Sequence, residues 1–266
     1  TNERVFTVTH PESVHDFAEH ATRTFWQTVE ARTDTSVVLR VGTAPVPLTM
    51  QAPYPVTGVP ERYVRFTQPA SHIQSDAPPI AARAAELRRT AQPQSQHDMV
   101  HAVLRWNRQH LTYGEPSAIH TALEAFDDGV ANCIGFAHLP AALLRNLGIP
   151  ARVVRTFVVQ GPRLTRHYLL EVYYPEDDQW LTFEPQTISQ PAGTNLFLYA
   201  DADWNQDAHR TTRAFSVDPR THVLAGRRAE APLIHEIDQL ARPDAQSYRD
   251  KSRMGLMLAA HNNVLA

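Results

Sequence analysis

Two hydrophobic periods alternate along the chain. Near its start, Val5–Thr9, Ser36–Val41 and Tyr63–Phe66 are rich in β-branched and aromatic residues and predict strands. Phe17–Val29 fits a helix and a strand equally, and pattern alone leaves both open. Pro45, Pro47, Pro53, Pro55 and Pro60 divide this region into turns and edges. Residues 1–70 therefore read as an N-terminal β-rich module.

From residue 71 the period lengthens. Asp76-Ala77-Pro78-Pro79 sets proline at a first helical turn, and Ile80–Thr90 continues it. A second helix is predicted over Ser95–His110, with Met99, Val103 and Trp106 on one face. Leu111–Tyr113 is short and extended, and Ser117–Phe126 predicts a third helix. After the turn signal Asp127-Asp128-Gly129, an apolar run from Cys133 reads as a helix ending at Leu147-Gly148-Ile149-Pro150. Pro140 removes that helix's bond to the Phe136 carbonyl, which predicts a bend or a later start. Extended segments return at Ala151–Val159, Arg166–Tyr174 and Gln179–Glu184, with a turn at Pro175–Asp178. Helices followed by consecutive hairpin strands indicate an α+β fold, with a core over residues 71–200. Residues 201–266 read as a C-terminal extension, polar and proline-interrupted to about 242, then closing in a helix over Asp244–Leu265.

Composition narrows the function classes. With 42% hydrophobic and 20% charged residues the chain can bury a sizeable core. A net charge of −3 with no basic run argues against nucleic acid as an obligatory partner. No stretch approaches the roughly 18 apolar residues of a membrane span, so the chain reads as soluble. The compartment stays open: a cytoplasmic protein and a processed, exported one both fit a chain beginning at Thr1. Lys251 is the sole lysine among 25 basic residues, which genomic base composition accounts for. His97 and His101 are spaced i, i+4, but no glutamate lies between them and no third ligand is evident; no metal is expected. His15, His20 and His138 lack evident partners, and Glu171 and Glu176–Asp178 read as solvated.

The chemistry centres on Cys133, the one cysteine. A thiol at the first turn of a helix feels the positive end of the helix dipole, which favours the reactive thiolate. If the four-residue turn sets Tyr174 opposite Gln179, Leu169 faces Glu184. His167 and Glu184 then share a sheet face as diagonal neighbours, within side-chain reach. A carboxylate that fixes an imidazole, and an imidazole that faces a thiol, form a base-and-orienter pair for a nucleophile. A one-residue slip would put them on opposite faces.

The motifs Cys133-Ile134-Gly135-Phe136-Ala137, Leu147-Gly148-Ile149-Pro150-Ala151-Arg152-Val153-Val154, His167-Tyr168-Leu169-Leu170-Glu171-Val172-Tyr173 and Trp180-Leu181-Thr182-Phe183-Glu184-Pro185 resemble the transglutaminase-like superfamily, in its bacterial type. The resemblance covers roughly residues 75–186. It implies a papain-like core in which a helix-borne cysteine packs on an antiparallel sheet. It further implies Cys133 as nucleophile, His167 as general base and acid, and Glu184 as third member. The implied activity is acyl transfer or hydrolysis on peptide or protein amides, with water or an amine as acceptor and no cofactor. Calcium, used by some members, has no site here. Three positions depart from the family pattern: Glu184 where aspartate is usual, Ala131 where glycine is frequent, and Pro140 within the cysteine helix. They keep open a second reading, a degenerate module that binds peptide or protein through the same cleft. The Cys133 N–H is the natural first oxyanion donor. Asn132, Tyr113 and Trp106 are candidates for the second, and Trp180 for a wall of the site near His167.

Overall fold

A computed structural model describes residues 2–10, 14–15, 17–43, 52–114, 121–160, 163–188, 197–199, 216–217 and 222–225. In chain order the elements are β1 (Asn2–Thr9), β2 (His20–Ala21), β3 (Phe25–Arg32), β4 (Ser36–Thr43), α1 (Glu61–Val64), α2 (Pro78–Ala91), α3 (Gln96–His110), β5 (Thr112–Tyr113), α4 (Ala122–Asp128), β6 (Val130–Ala131), α5 (Cys133–Asn146), β7 (Ala151–Gln160), β8 (Arg163–Tyr174), β9 (Gln179–Phe183), β10 (Phe197–Tyr199), β11 (Ser216–Val217) and β12 (His222–Ala225). The fold is α+β. The helix over 244–265 falls outside the described residues.

Ten strands form one antiparallel sheet, ordered β10-β7-β8-β11-β1-β4-β3-β2, with β9 also on β8 and β12 also on β1. Residues 1–70 and 71–200 thus contribute strands to the same sheet, joined where β11 pairs with both β1 and β8. The sheet also curls. The Gln27 side chain of β3 donates to the Tyr199 carbonyl and accepts from the Tyr199 N–H, each at 2.8 Å. The Arg23 N–H donates to the Trp180 carbonyl at 3.0 Å. Phe6, Val8, Phe17, Phe25, Leu39, Val154 and Leu169 pack together on the side enclosed by this curl.

A second apolar cluster centres on α5, which α2, α3, α4, β7 and β8 surround. Every residue from Ile134 to Arg145 is buried, as befits a helix that is apolar on nearly all sides. His138, a fully buried side chain beside His72, therefore lies in the interior and not on a helix surface. Gly129 (φ 64°) ends α4 in the left-handed region, a turn glycine makes without a Cβ penalty.

Several expectations are corrected, and the open choice over Phe17–Val29 is resolved as strand. Tyr63–Phe66 is helical, comprising the end of α1 and a 3₁₀ turn over Arg65–Thr67. Pro60 (φ −58°) sets the helix start, and Tyr63 and Phe66, three apart, lay their rings edge-on against Trp180 at 5.2 and 5.3 Å. The stretch Phe17–Val29 holds β2 and the start of β3, with a corner closed by the Thr22 N–H on the Phe25 carbonyl. The short third helix begins at Ala122, where Thr121 and Glu124 form a reciprocal capping box; residues 115–120 are not described. Pro140 neither breaks α5 nor delays its start. The Phe136 carbonyl it strands accepts the Asn107 side-chain N–H from α3 at 3.1 Å.

Candidate active site

Cys133 opens α5, and Asn132 caps it: the Asn132 Oδ1 accepts the Ile134 N–H at 3.1 Å. The loop before the cap is held by the parallel pair β5–β6, in which Thr112 lies opposite Val130 and Tyr113 opposite Ala131. The Gly114 N–H on the Ala131 carbonyl (3.1 Å) completes it. These bonds fix the first turn of α5 before any ligand arrives.

In the β8–β9 hairpin Tyr174 lies opposite Gln179 and Leu170 opposite Phe183, the register the four-residue turn predicts. His167 and Glu184 meet as that register requires. The His167 Nε2 hydrogen-bonds the Glu184 Oε2, and the Glu184 Oε1 accepts the Gln186 N–H at 3.0 Å. Both carboxylate oxygens are therefore engaged. The Cys133 thiol is a further hydrogen-bond partner of the His167 ring, which has only Nδ1 left to offer. Cys133 and Glu184 are therefore both partners of the one His167 ring.

Burial alone would lower the His167 imidazole. The Glu184 charge, the hydrogen bond to Cys133 and the hydrogen bond to Glu184 outweigh it and hold the ring up at about 10. A ring of that kind is positively charged at neutral pH. With 12% of the His167 side chain exposed and 5% of Glu184, solvent reaches the pair only at an edge.

The other candidates separate. Tyr113 lies in the loop that braces Ala131, its ring 6.0 Å from that of Phe136, one turn past Cys133. Asn132 adjoins Cys133, with its side-chain oxygen given to the cap. Trp106 stacks on His110 (4.5 Å) and Phe126 (5.9 Å) under the Arg83 guanidinium, a packing position. Trp180 is not a wall of the site. It pairs with Tyr173, six residues along β8 from His167, or about 20 Å at strand rise. There it packs among Tyr63, Phe66 and Tyr173, with Arg152 4.0 Å over its ring.

Sequence reasoning missed one residue that feels the thiol, Tyr168. Tyr168, 2% exposed, follows His167 on β8 and lies opposite Arg155 of β7. Burial raises its phenol, the neighbouring Arg166, Arg155 and a hydrogen bond to Arg166 oppose this, and Cys133 adds to the rise. The pairing of Gln160 with Arg163, once adopted, sets Arg155 opposite Tyr168. Two further expectations are corrected. Glu171 is 1% exposed and holds His20 and Arg152, so it is not solvated, and His20 is not without a partner. No group of three His, Cys, Asp or Glu residues suited to a metal ion occurs among the described residues. No described helix is long and apolar enough to cross a membrane.

One solved structure shares this architecture. The chain superposes on a solved structure described as a candidate cysteine protease from Cytophaga hutchinsonii, with a TM-score of 0.53 and 17% identity, over 85% of this chain and 90% of that one. The periplasmic domain of TgpA from Pseudomonas aeruginosa gives a TM-score of 0.43 and 17% identity, over 70% of this chain and 88% of that one. No curated protein matches the chain in sequence. Residues 81–185, which hold Cys133, His167 and Glu184, match the model of the Transglutaminase-like superfamily, and this segment is a transglutaminase-like domain.

Proposed function

We propose that the chain is a thiol-dependent enzyme acting on peptide or protein amides, with Cys133 as nucleophile, His167 as general base and acid, and Glu184 as the group that orients and charges the imidazole. The observation that carries this reading is the His167 ring, bonded on one side to the Cys133 thiol and on the other to the Glu184 carboxylate. The proton of the pair rests on the His167 imidazolium, and the Cys133 sulfur attacks the amide carbonyl carbon as a thiolate. The carbon–nitrogen bond breaks as the imidazolium returns its proton to the departing amine, leaving an acyl thioester on Cys133. His167 then draws a proton from water or an amine, whose oxygen or nitrogen attacks the thioester carbon; the carbon–sulfur bond breaks, releasing the Cys133 thiolate and a carboxylic acid or a new amide. The Cys133 N–H supplies one oxyanion donor, because an N–H at a helix start has no carbonyl within the helix to bond. Tyr113 is the better supported second donor, since β5–β6 holds its strand against the loop before Cys133.

Alkylation of Cys133 by iodoacetamide at pH 6 tests this reading. The expected rate exceeds that of a free thiol such as glutathione by about tenfold or more, because an imidazolium favours the attacking thiolate. His167→Ala removes that excess. If Cys133 reacts no faster than glutathione, the non-catalytic binding module becomes the better description. Incubation with a peptide library, with and without an added amine, then assigns the acceptor: acids alone indicate hydrolysis, amides indicate transfer.

A further inference from the structure

A cleft of about 340 Å³ lies where the segment 52–58, the start of α3 and the turn after β8 meet. Ala52, Pro53, Val56 and Pro175 give it apolar walls, and Gln96 and Glu176 bring polar groups to it. It is remote from the thiol. The Gln96 side chain is anchored to the Tyr173 carbonyl, six residues along β8 from His167, or about 20 Å at strand rise. Its volume is at the lower end of the roughly 300–1,000 Å³ that small ligands occupy, which suits one long side chain.

Both polar side chains of the cleft have acceptors to spare. Gln96, 1% exposed, donates its Nε2 to the Tyr173 carbonyl at 2.7 Å and its backbone N–H to the Ala52 carbonyl at 2.8 Å. Its Oε1 accepts from no described residue. A nearly buried amide oxygen in that position calls for a donor from water or from a ligand. The turn after β8 carries three carboxylates. Arg23 pairs with Asp177 at 3.0 Å and Arg62 with Asp178 at 3.1 Å. Among the described residues no cation pairs with Glu176, the one of the three that lines the cleft.

We infer that this cleft is a second binding site, separate from Cys133, for a basic side chain of a polypeptide. Its occupant has to bring hydrogen-bond donors to the Gln96 Oε1, positive charge to Glu176, and an apolar stem to the proline and valine walls. Arginine and lysine side chains have all three, since their methylenes cover apolar surface while the head group carries donors and charge. A neutral amide satisfies only Gln96, and an aliphatic side chain satisfies neither polar group. The site does not depend on Cys133 being the nucleophile.

Two probes of equal shape read the cleft without knowledge of the natural partner: the N-acetyl, N-methylamide derivative of arginine and that of citrulline, its neutral counterpart. Each is titrated through the millimolar range into isotope-labelled protein at low salt and followed by NMR. The Gln96 side-chain amide and the Val56 and Glu176 backbone amides are expected to shift saturably with the arginine probe, with a Kd at least about threefold below that of the citrulline probe. Glu176→Gln, at an exposed position that leaves the fold intact, removes that difference. Protein alkylated at Cys133 binds the arginine probe unchanged. Absence of these shifts, equal affinity for the two probes, or an undiminished arginine preference in Glu176→Gln overturns the site. Shifts that centre on α5 and the His167 end of β8, and vanish on alkylation, overturn it as well, because the probe then occupies the cleft of the thiol.

Discussion

Glu184 shows how one residue sets the state of another. The extra methylene relative to aspartate is absorbed by the geometry, because one oxygen reaches the His167 ring while the other is held by the Gln186 N–H. Its charge is the largest of the influences that raise His167 to about 10, against the opposing effect of burial. Glu184→Gln keeps the shape and removes the charge. The His167 Cε1–H resonance, followed by NMR against pH, is expected to titrate near 10 in the unmodified protein and at least one unit lower in the variant. Thioester formation is expected to fall roughly 10⁴-fold, as when the acid of a Ser-His-Asp triad is neutralised. The sign for stability follows from the raised value. His167 stabilises the fold fully below its unfolded value of about 6.5, and the contribution is lost as pH rises through about 10. The melting temperature of the unmodified protein therefore declines between pH 7 and 10 more steeply than that of Glu184→Gln. An identical His167 titration in both proteins would contradict this account.

At the scale of elements, α5 is continuous because a second helix compensates for its proline. Pro140 offers no N–H to the Phe136 carbonyl, and the buried Asn107 of α3 supplies one. Asn107→Leu strands that carbonyl and is expected to cost about 1–3 kcal/mol in denaturant unfolding. Pro140→Ala restores a backbone donor within α5, so the same Asn107 substitution in that background should cost about 1 kcal/mol less. Strict additivity would show that the carbonyl finds another partner. Asn107 also marks where sequence reading reached its limit. The existence of α3, α5, β7, β8 and β9 is legible from local period and turn residues, and so is the β8–β9 register, because the turn at Pro175–Asp178 fixes it. The partner of a stranded carbonyl is not local: 29 positions separate Asn107 from Phe136, and only the packing of two helices joins them. The segment Tyr63–Phe66 departs from the predicted strand for a similar reason. Its aromatic residues suit a strand, yet they pack on Trp180 from a helix more than a hundred positions away in sequence.

At the scale of the molecule, the same sheet that presents His167 also encloses the N-terminal strands, and a buried ionic clasp helps close it. Glu171, four residues beyond His167 on β8, accepts the His20 ring nitrogen of β2 at 2.6 Å and the Arg152 guanidinium of β7 at 2.7 Å, with the Thr182 hydroxyl of β9 at 3.3 Å. The His20 ring stacks on Tyr199 of β10 at 3.6 Å. The consecutive strands β7, β8 and β9 and the distant β2 thus converge on one carboxylate, and no local pattern announces the part of β2. Burial on its own would raise the Glu171 carboxyl, but His20 and Arg152 outweigh it and hold the group at about 2. A depressed acid stabilises the fold above its unfolded value, and that contribution is lost as pH falls toward about 2. Glu171→Gln removes one side of a buried ion pair and leaves the Arg152 charge uncompensated, so it is expected to destabilise by about 3–5 kcal/mol at pH 7. The difference between the two proteins should narrow as pH falls from 4.5 toward 2, because protonation removes the same charge from the unmodified protein. Hydrogen exchange locates the effect: amides of β2 and the adjoining end of β3 should lose protection in the variant before those of α5 do, because the clasp ties β2 to β8 and leaves the helix cluster intact. Equal loss of protection in α5 would mean that the strands and the helix cluster unfold as one unit, and that closing the sheet is inseparable from holding Cys133 against His167.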